Sequence, residues 1–440
     1  MPTKTSILIT LLFSLSIAAP VTANTPKISN WTTDNGARVY FVSAPELPMI
    51  DIRIVFDAGG AKDGKLPGLA LLTNGLIAEG TQDLDATQIA KRFENLGARF
   101  STSSHRDMAV ISLRSLSDPE LLNPALETLG LIMSQPSFPE NSLERERKRL
   151  LISLQSEKES PGKIGTRAFF NAVYQKHPYA QLPQGNETSV KAITRHDITQ
   201  HHLNYYVASN ATVAVVGDLS QHQVKTLINK LMKLLPKGQP AKPVQAVSKL
   251  SKAQYLPIQY PSKQSHITVG QPGMRRNDPD FFPLYVGNHV LGGSGLVSRL
   301  SEKIREDRGL AYSTYSYFSP MRAEGPFILG LQTKNDQAQD ALEILKKTLK
   351  KFIANGPEEK ELVAAKQNIT GGFPLKIASN SSIVEYLSSI AFYQLPLDYL
   401  DTFNKKVNAV TVKQITDAFK RRVDPNKMIT VIVGDRKSES

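Results

Sequence analysis

The 440-residue sequence has no cysteine. Disulfides, thiolate nucleophiles and cysteine-ligated metal sites are therefore excluded together. So is a lipid anchor on an exported form, which needs a cysteine beside the cleavage site. Aromatic residues make up only 7%, and no stretch shows zinc-finger spacing or an RNP-like aromatic pattern. The chain has no G-x-S-x-G elbow and no P-loop; GGSG at 292–295 is not followed by Gly-Lys-Ser/Thr. Beyond the first 23 residues no segment is long and apolar enough to cross a bilayer, so membrane insertion is not expected.

What is present reads as a globular protein. Hydrophobic residues make up 40% and charged residues 21%. The length calls for two large domains or three small ones. A formal charge of +13 draws acidic partners non-specifically, but the basic residues are dispersed over LKKTLKK (345–351), LMKLLPKGQPAKP (231–243) and KRR (420–422). They read as solvated helix faces, and no nucleic-acid partner is expected. Lys4, the apolar run Ser6 to Ala19 and the A-x-A-like Val21-Thr22-Ala23 read as a cleavable signal peptide over 1–23. With no anchor to follow it, the expected compartment is a bacterial periplasm.

The chain repeats itself. KAITRHDITQHHLNYYVASNATVAVVGD (191–218) aligns without a gap to NAVTVKQITDAFKRRVDPNKMITVIVGD (408–435), with seven identities. Each copy reads as a helix, a turn and a β-branched strand ending in Gly-Asp. GARFSTSS (97–104) matches GLAYSTYS (309–316) in the same order. Two homologous halves follow, with a Lys/Pro/Gln/Ser-rich linker at 237–254 between a first domain, 24–236, and a second, 255–440. In the first half, strands are predicted at 37–43, 49–58 and 98–116. Helices are predicted at 66–79, 85–96, 119–134, 140–159 and 163–175. That pattern predicts α+β sandwich layers with mainly antiparallel sheets.

One helix raises a question. GLALLTNGLIAEGT (68–81) reads as an apolar helix closed by Gly80, with Gly75 in its interior, where glycine costs about 1 kcal/mol against alanine. It has no histidine, and its only acid, Glu79, lies at the end. It neither packs especially well nor holds a reactive group. The eight histidines of the chain do not replace one: His201 and His202 are neighbours about 100° apart on a helix, and the others are scattered. Surface or capping roles are expected for all of them.

Six stretches together resemble the insulinase/pitrilysin family of inverted zincins, in its two-domain bacterial and mitochondrial-processing-peptidase-like branch. They are GGAKDGKLPGLALLTNGLIAEGT, KHPYAQLPQG, ITRHDITQHHLNYYVASNATVAVVGD, LGGSGLVSRLSEKIREDRGLAYSTYSYF and, near the end, LPLDYLDTF with ITVIVGD. The resemblance covers nearly the whole mature chain in order. It implies two α/β-sandwich domains of the LuxS/processing-peptidase type, packing with a partner pair around a peptide-digesting chamber.

The resemblance also implies what the 68–81 helix once did. In active members it carries H-x-x-E-H, two zinc-binding histidines and a glutamate that polarises the bound water, with a further glutamate ligand on a later helix. The matching positions here are Leu71, Asn74, Gly75 and Ser153, none of which can do that chemistry. No zinc is expected in this chain and no peptidase activity on its own. IREDRGLAYS (304–313), by contrast, resembles the family's arginine/tyrosine element, with Arg305 gripping substrate carbonyls and Tyr312 donating to the oxyanion. In active members that pair faces the zinc from the opposite domain. The loop Gly292, Gly293, Ser294 and Gly295 has two readings that stay open: substrate contact, or a helix-start turn capped by Ser294.

The resemblance therefore implies a non-catalytic subunit of a heterodimeric periplasmic peptidase acting on unstructured peptides. A homologous partner bearing H-x-x-E-H would supply the zinc. The alternative is a peptide-binding or scaffold protein without chemistry.

Overall fold

The computed structural model describes residues 27–435. The expected signal peptide, 1–23, and residues 436–440 of the second expected domain lie outside the described residues. Eleven strands form two sheets. The first holds β1 (Ser29–Thr32), β2 (Arg38–Ser43), β3 (Met49–Phe56), β4 (Arg99–Ser104), β5 (Ala109–Leu116) and β6 (Ala211–Gly217), in the order β1-β2-β6-β3-β5-β4. The second holds β7 (Gln254–Gln259), β8 (Gln264–Pro272), β9 (Ala311–Phe318), β10 (Pro326–Lys334) and β11 (Ile429–Gly434), in the order β7-β11-β8-β10-β9. Apart from β1 the two orders match position for position. Each sheet is antiparallel except for one parallel pair, β2 with β6 and β7 with β11.

The internal repeat maps onto this correspondence. The segments 191–218 and 408–435 become helix Arg195–Tyr205 with β6, and helix Val412–Arg422 with β11. Both helices begin with a capping box, Thr194 with Asp197 and Thr411 with Gln414. Both strands are buried along their whole length, as their unbroken β-branched runs require. The shorter match, 97–104 with 309–316, gives the edge strands β4 and β9.

Neither half buries both faces of its sheet by itself. Helix Pro161–Tyr174, from the first half, lies on the second sheet, where Phe169, Phe170 and Val173 pack with Ile429, Val431 and Val433. Helix Asn380–Phe392, from the second half, lies on the first, where Ile383, Val384 and Leu387 pack with Val42, Ala214 and Val216. Residues 237–253 carry no regular element but are tied down. Leu250 is buried in the shared cluster, and the Val247 amide donates to Glu324 Oε2 at 2.9 Å.

One buried carboxylate joins the halves. Asp107, on the turn between β4 and β5, accepts the hydroxyls of Tyr179 at 2.5 Å and Tyr393 at 3.2 Å, and the amide of Arg322 at 2.8 Å. The Tyr179 oxygen accepts in turn from the Ala323 amide at 3.2 Å. Both phenols are pushed up by burial, so they stay protonated donors. Asp107→Ala would leave three donors from three segments without an acceptor, and is expected to cost about 3 kcal/mol or more in urea unfolding. Because the contact bridges both halves, the loss should appear as an earlier single transition, not as a new intermediate.

Candidate functional site

The helix resembling the zinc helix is shorter than its sequence suggests. It spans Leu69–Gly75, with Leu76 as its C-cap, while Gly80 lies in a bridge to Asp85. Gly75 is thus its last residue and not an interior one; a Cβ there would meet nothing within 4 Å. The helix also packs well, contrary to the reading of its sequence: Leu69, Leu72 and Leu76 are buried against Phe138, Leu143, Ile193 and Ile198. Its start is held from a distance. Gly68 offers no side chain as a cap, and Asp63 accepts from the Gly68 amide at 2.8 Å and the Ala70 amide at 2.7 Å. Burial pushes the Asp63 carboxyl up to about 7, against those two donors.

Asn74, at the position of the expected base, is almost fully buried and committed elsewhere. Its Nδ2 donates to the carbonyls of Ser103 (2.8 Å) and Val110 (3.1 Å), on β4 and β5, and its Oδ1 accepts from the Tyr206 hydroxyl at 3.0 Å. The amide fastens the helix to the edge of the first sheet. Asn288 does the same in the second half: its Nδ2 donates to the Ser316 carbonyl of β9 at 3.0 Å, and its Oδ1 accepts from the Ser316 hydroxyl at 2.8 Å.

Leu71 and Ser153 line one cleft of about 800 Å³ between the halves. Ser153 is exposed on helix Glu140–Glu157. These positions do not fit a zinc ion: Leu71 and Gly75 have no donor atom, and the Asn74 amide is spent on backbone. Among the described residues no group of three or more His, Asp and Glu could hold a metal. The cleft walls are instead polar and cationic, with Arg53, His105 and Arg106 from the first half and Arg276, Tyr317 and Tyr393 from the second. The sequence pattern gave no sign of this set, because Arg106 and Arg276 stand in turns and meet only through the fold.

Two histidines also depart from expectation. His201 and His202 are not surface residues but are buried in helix Arg195–Tyr205. His202 Nε2 lies 2.8 Å from the Met133 carbonyl, and His201 Nε2 lies 3.4 Å from that of Ala58. Burial pushes both down to about 4. His177 does cap, accepting from the Tyr179 amide at 3.1 Å.

Arg305 and Tyr312 come together, but not in this cleft. Arg305 sits in the π-helical turn Glu302–Glu306, and Tyr312 near the start of β9. Between them Gly309 adopts φ +64 and ends the helix, its amide donating to the Arg305 carbonyl at 2.8 Å. A bulge follows: Ala311 pairs with Thr333 and Thr314 with Leu331, so Tyr312 and Ser313 oppose Gln332 alone. The bulge turns Tyr312 outward, leaving it 85% exposed with its ring centroid 5.1 Å from the Arg305 guanidinium. Arg305 and Tyr312 thus form a cation–π pair on an open surface.

The glycine-rich loop backs the same strand. Gly292 permits a close approach, since a Cβ there would stand 2.4 Å from Ser316 Oγ. Ser294 is not a side-chain cap. Ser298 performs that task, accepting from the Ser301 amide at 3.3 Å and donating to the Gly295 carbonyl at 2.6 Å. Gly293 and Gly295 flank Ser294, and the next two residues, Leu296 and Val297, stand exposed.

The architecture defines a peptidase-like α+β protein whose metal positions carry no metal ligands. The comparisons agree. Residues 38–183 match the model described as insulinase (peptidase family M16), and residues 192–369 the one described as peptidase M16 inactive domain. The chain belongs to this family, as an inactive-type member. A crystal structure described as a peptidase M16 inactive domain from Pseudomonas fluorescens is 37% identical and superposes with a TM-score of 0.91, over 94% of this chain and 99% of that one. The non-peptidase homolog YmxG of Helicobacter pylori is 27% identical, over 89% of this chain and 90% of its own length. The structure of a protease from Helicobacter pylori, 21% identical, shares the fold with a TM-score of 0.86 over 93% of this chain and all of that one.

Two measurements test this account. Asn74→Ala should cost about 2 kcal/mol in urea unfolding, because two backbone carbonyls and the Tyr206 hydroxyl lose their partner. His201 and His202 bind protons near pH 6.5 when unfolded and near 4 when folded. Their stabilisation is therefore complete above 6.5 and is lost as the pH falls toward 4. Asp63 has the opposite sign over much of that window, so the histidine effect is read as a difference. Between pH 7.5 and 4.5 the wild type should lose about 2 kcal/mol more than His202→Gln.

Proposed function

We propose that this chain is the zinc-less subunit of a two-chain periplasmic peptidase acting on unstructured peptides. A homologous partner bearing H-x-x-E-H would hold the zinc and the general base. This chain would present Arg305 to the substrate backbone and Tyr312 to the developing oxyanion. The observation that carries the reading is the outward turn of Tyr312 at the β9 bulge, beside Arg305 and away from the cleft of Leu71 and Ser153. A donor exposed outside its own chain's cleft suits a site completed by another chain. Gly293, Ser294 and Gly295, with exposed Leu296 and Val297 beside them, would contact the bound peptide from the same side, while Gly292 is buried against β9 and would not. Export rests on the signal-like first 23 residues. The second reading is a peptide-binding or scaffold protein without chemistry; the roomy cleft at the vacated metal positions favours it.

The test is a pull-down of the tagged protein from periplasmic extract, with the eluate assayed on a mixed pool of unstructured peptides. The expected result is chelator-sensitive cleavage that co-elutes with a second chain of the same fold. Tyr312→Phe should lower its kcat by about 10²- to 10³-fold, the usual effect of removing one oxyanion donor. A protein that elutes alone, or with a partner but inert, leaves the binding reading.

A further inference from the structure

We infer that the cleft between the two halves is itself a binding site for peptides that carry a carboxylate, with Arg106 and Arg276 as the anchoring pair. This goes beyond the shared-site reading and needs neither zinc nor a second chain.

The cleft is lined by four permanent cations, Arg53, Arg106, Lys163 and Arg276, and three acids, Asp107, Glu157 and Glu385. The acids are engaged. Asp107 takes two phenols and an amide, Glu157 pairs with Arg167 at 2.6 Å, and Glu385 stands 3.9 Å from Arg53. Arg106, Lys163 and Arg276 have no ion pair among the described residues. Neutral donors leave the Asp107 charge in place, so three unpaired cations stand against one unpaired carboxylate and the net charge of the cleft is positive.

The two arginines are also held in place. The Arg106 guanidinium lies 3.7 Å from the centroid of the Phe170 ring, and its Nε donates to the Tyr179 carbonyl at 3.3 Å. The Arg276 guanidinium lies 5.5 Å from the centroid of Phe281. Each keeps one buried N–H without an acceptor among the described residues, Nη2 of Arg106 and Nε of Arg276. Both guanidinium groups line the cleft with no ion-pair partner among the described residues, and a planar carboxylate is the acceptor that their fork geometry suits. The arginines approach the cleft from different halves, one beside the Asp107 turn and one at the end of β8.

The rest of the lining suits a peptide better than a small ion. Leu71, Met108, Leu182 and Phe170 give apolar surface. Residues next to two sheet edges also line the cleft, Ser104 on β4 and Tyr317 on β9, and a sheet edge offers backbone groups to an extended chain. The carboxylate could belong to a Glu or Asp side chain or to a peptide C-terminus.

The experiment is fluorescence anisotropy with the purified chain, chelator present, and a labelled unstructured peptide containing one glutamate. The same peptide is also measured with that glutamate changed to glutamine, with its C-terminus amidated, and with both changes. The expected result is saturable binding that weakens at least tenfold when the recognised carboxylate is removed. Whichever single change produces the loss identifies side chain or terminus as the source. Arg276→Gln and Arg106→Gln should each reduce the discrimination to under about threefold, with circular dichroism showing the variants folded. Lys230→Gln, at an exposed lysine of helix Gln221–Met232, should leave it unchanged. Equal binding of all four peptides, no saturable binding, or discrimination that survives both arginine variants would overturn the proposal. None of these outcomes bears on cleavage by a zinc-bearing pair, so the two readings fail separately.

Discussion

A single carboxylate, Asp107, organises the meeting of the two halves. An aspartate that is only 2% exposed is tolerable because three donors converge on it, and those donors come from segments far apart in the chain. The cleft inherits its geometry from this point. Arg106 is the residue just before Asp107. Arg276 donates its amide to the Met321 carbonyl, next to Arg322, whose own amide reaches Asp107. Both arginines are thus placed by one hydrogen-bonded knot. The exchanged helices Pro161–Tyr174 and Asn380–Phe392 supply the apolar burial that holds the knot shut.

The retention of the 69–75 helix follows from packing rather than chemistry. Its Leu residues fill a cluster that would otherwise be a void, and Asn74 secures the strand edge with two hydrogen bonds and accepts a third from Tyr206. Asn288 ties the second half's glycine-rich segment to β9 with a similar amide. Once the metal ligands are gone, such a position is better served by an amide than by a carboxylate. Two carbonyls face it, and a buried carboxylate could donate to neither.

What the sequence made legible was what depends on local pattern. Helix Pro119–Ser134 is predicted to the residue, and β2, β3 and helix Glu140–Glu157 to within two, because hydrophobic period and capping residues lie within each segment. The repeat located two strands buried at equivalent places and both edge strands without any coordinates. The misses share a cause. The 69–75 helix stops early because Leu76 and Ile77 turn into the core, which no periodicity announces. His201 and His202 look polar in sequence, yet they are buried because the carbonyls of Ala58 and Met133, well over sixty residues away, satisfy them. Ser298 caps in place of Ser294 because Gly295, at φ +66, turns the chain first.

Strand β9 joins the two surfaces that carry the functional readings. Tyr312 stands at its bulged start beside Arg305, and Tyr317, stacked on Tyr315, lines the cleft near its end. Five residues of strand separate them, about 17 Å. The exposed Arg305–Tyr312 surface and the cleft are thus held apart by the geometry of β9. The β9 pairing with β10, and the Asn288–Ser316 tie behind it, fix that separation.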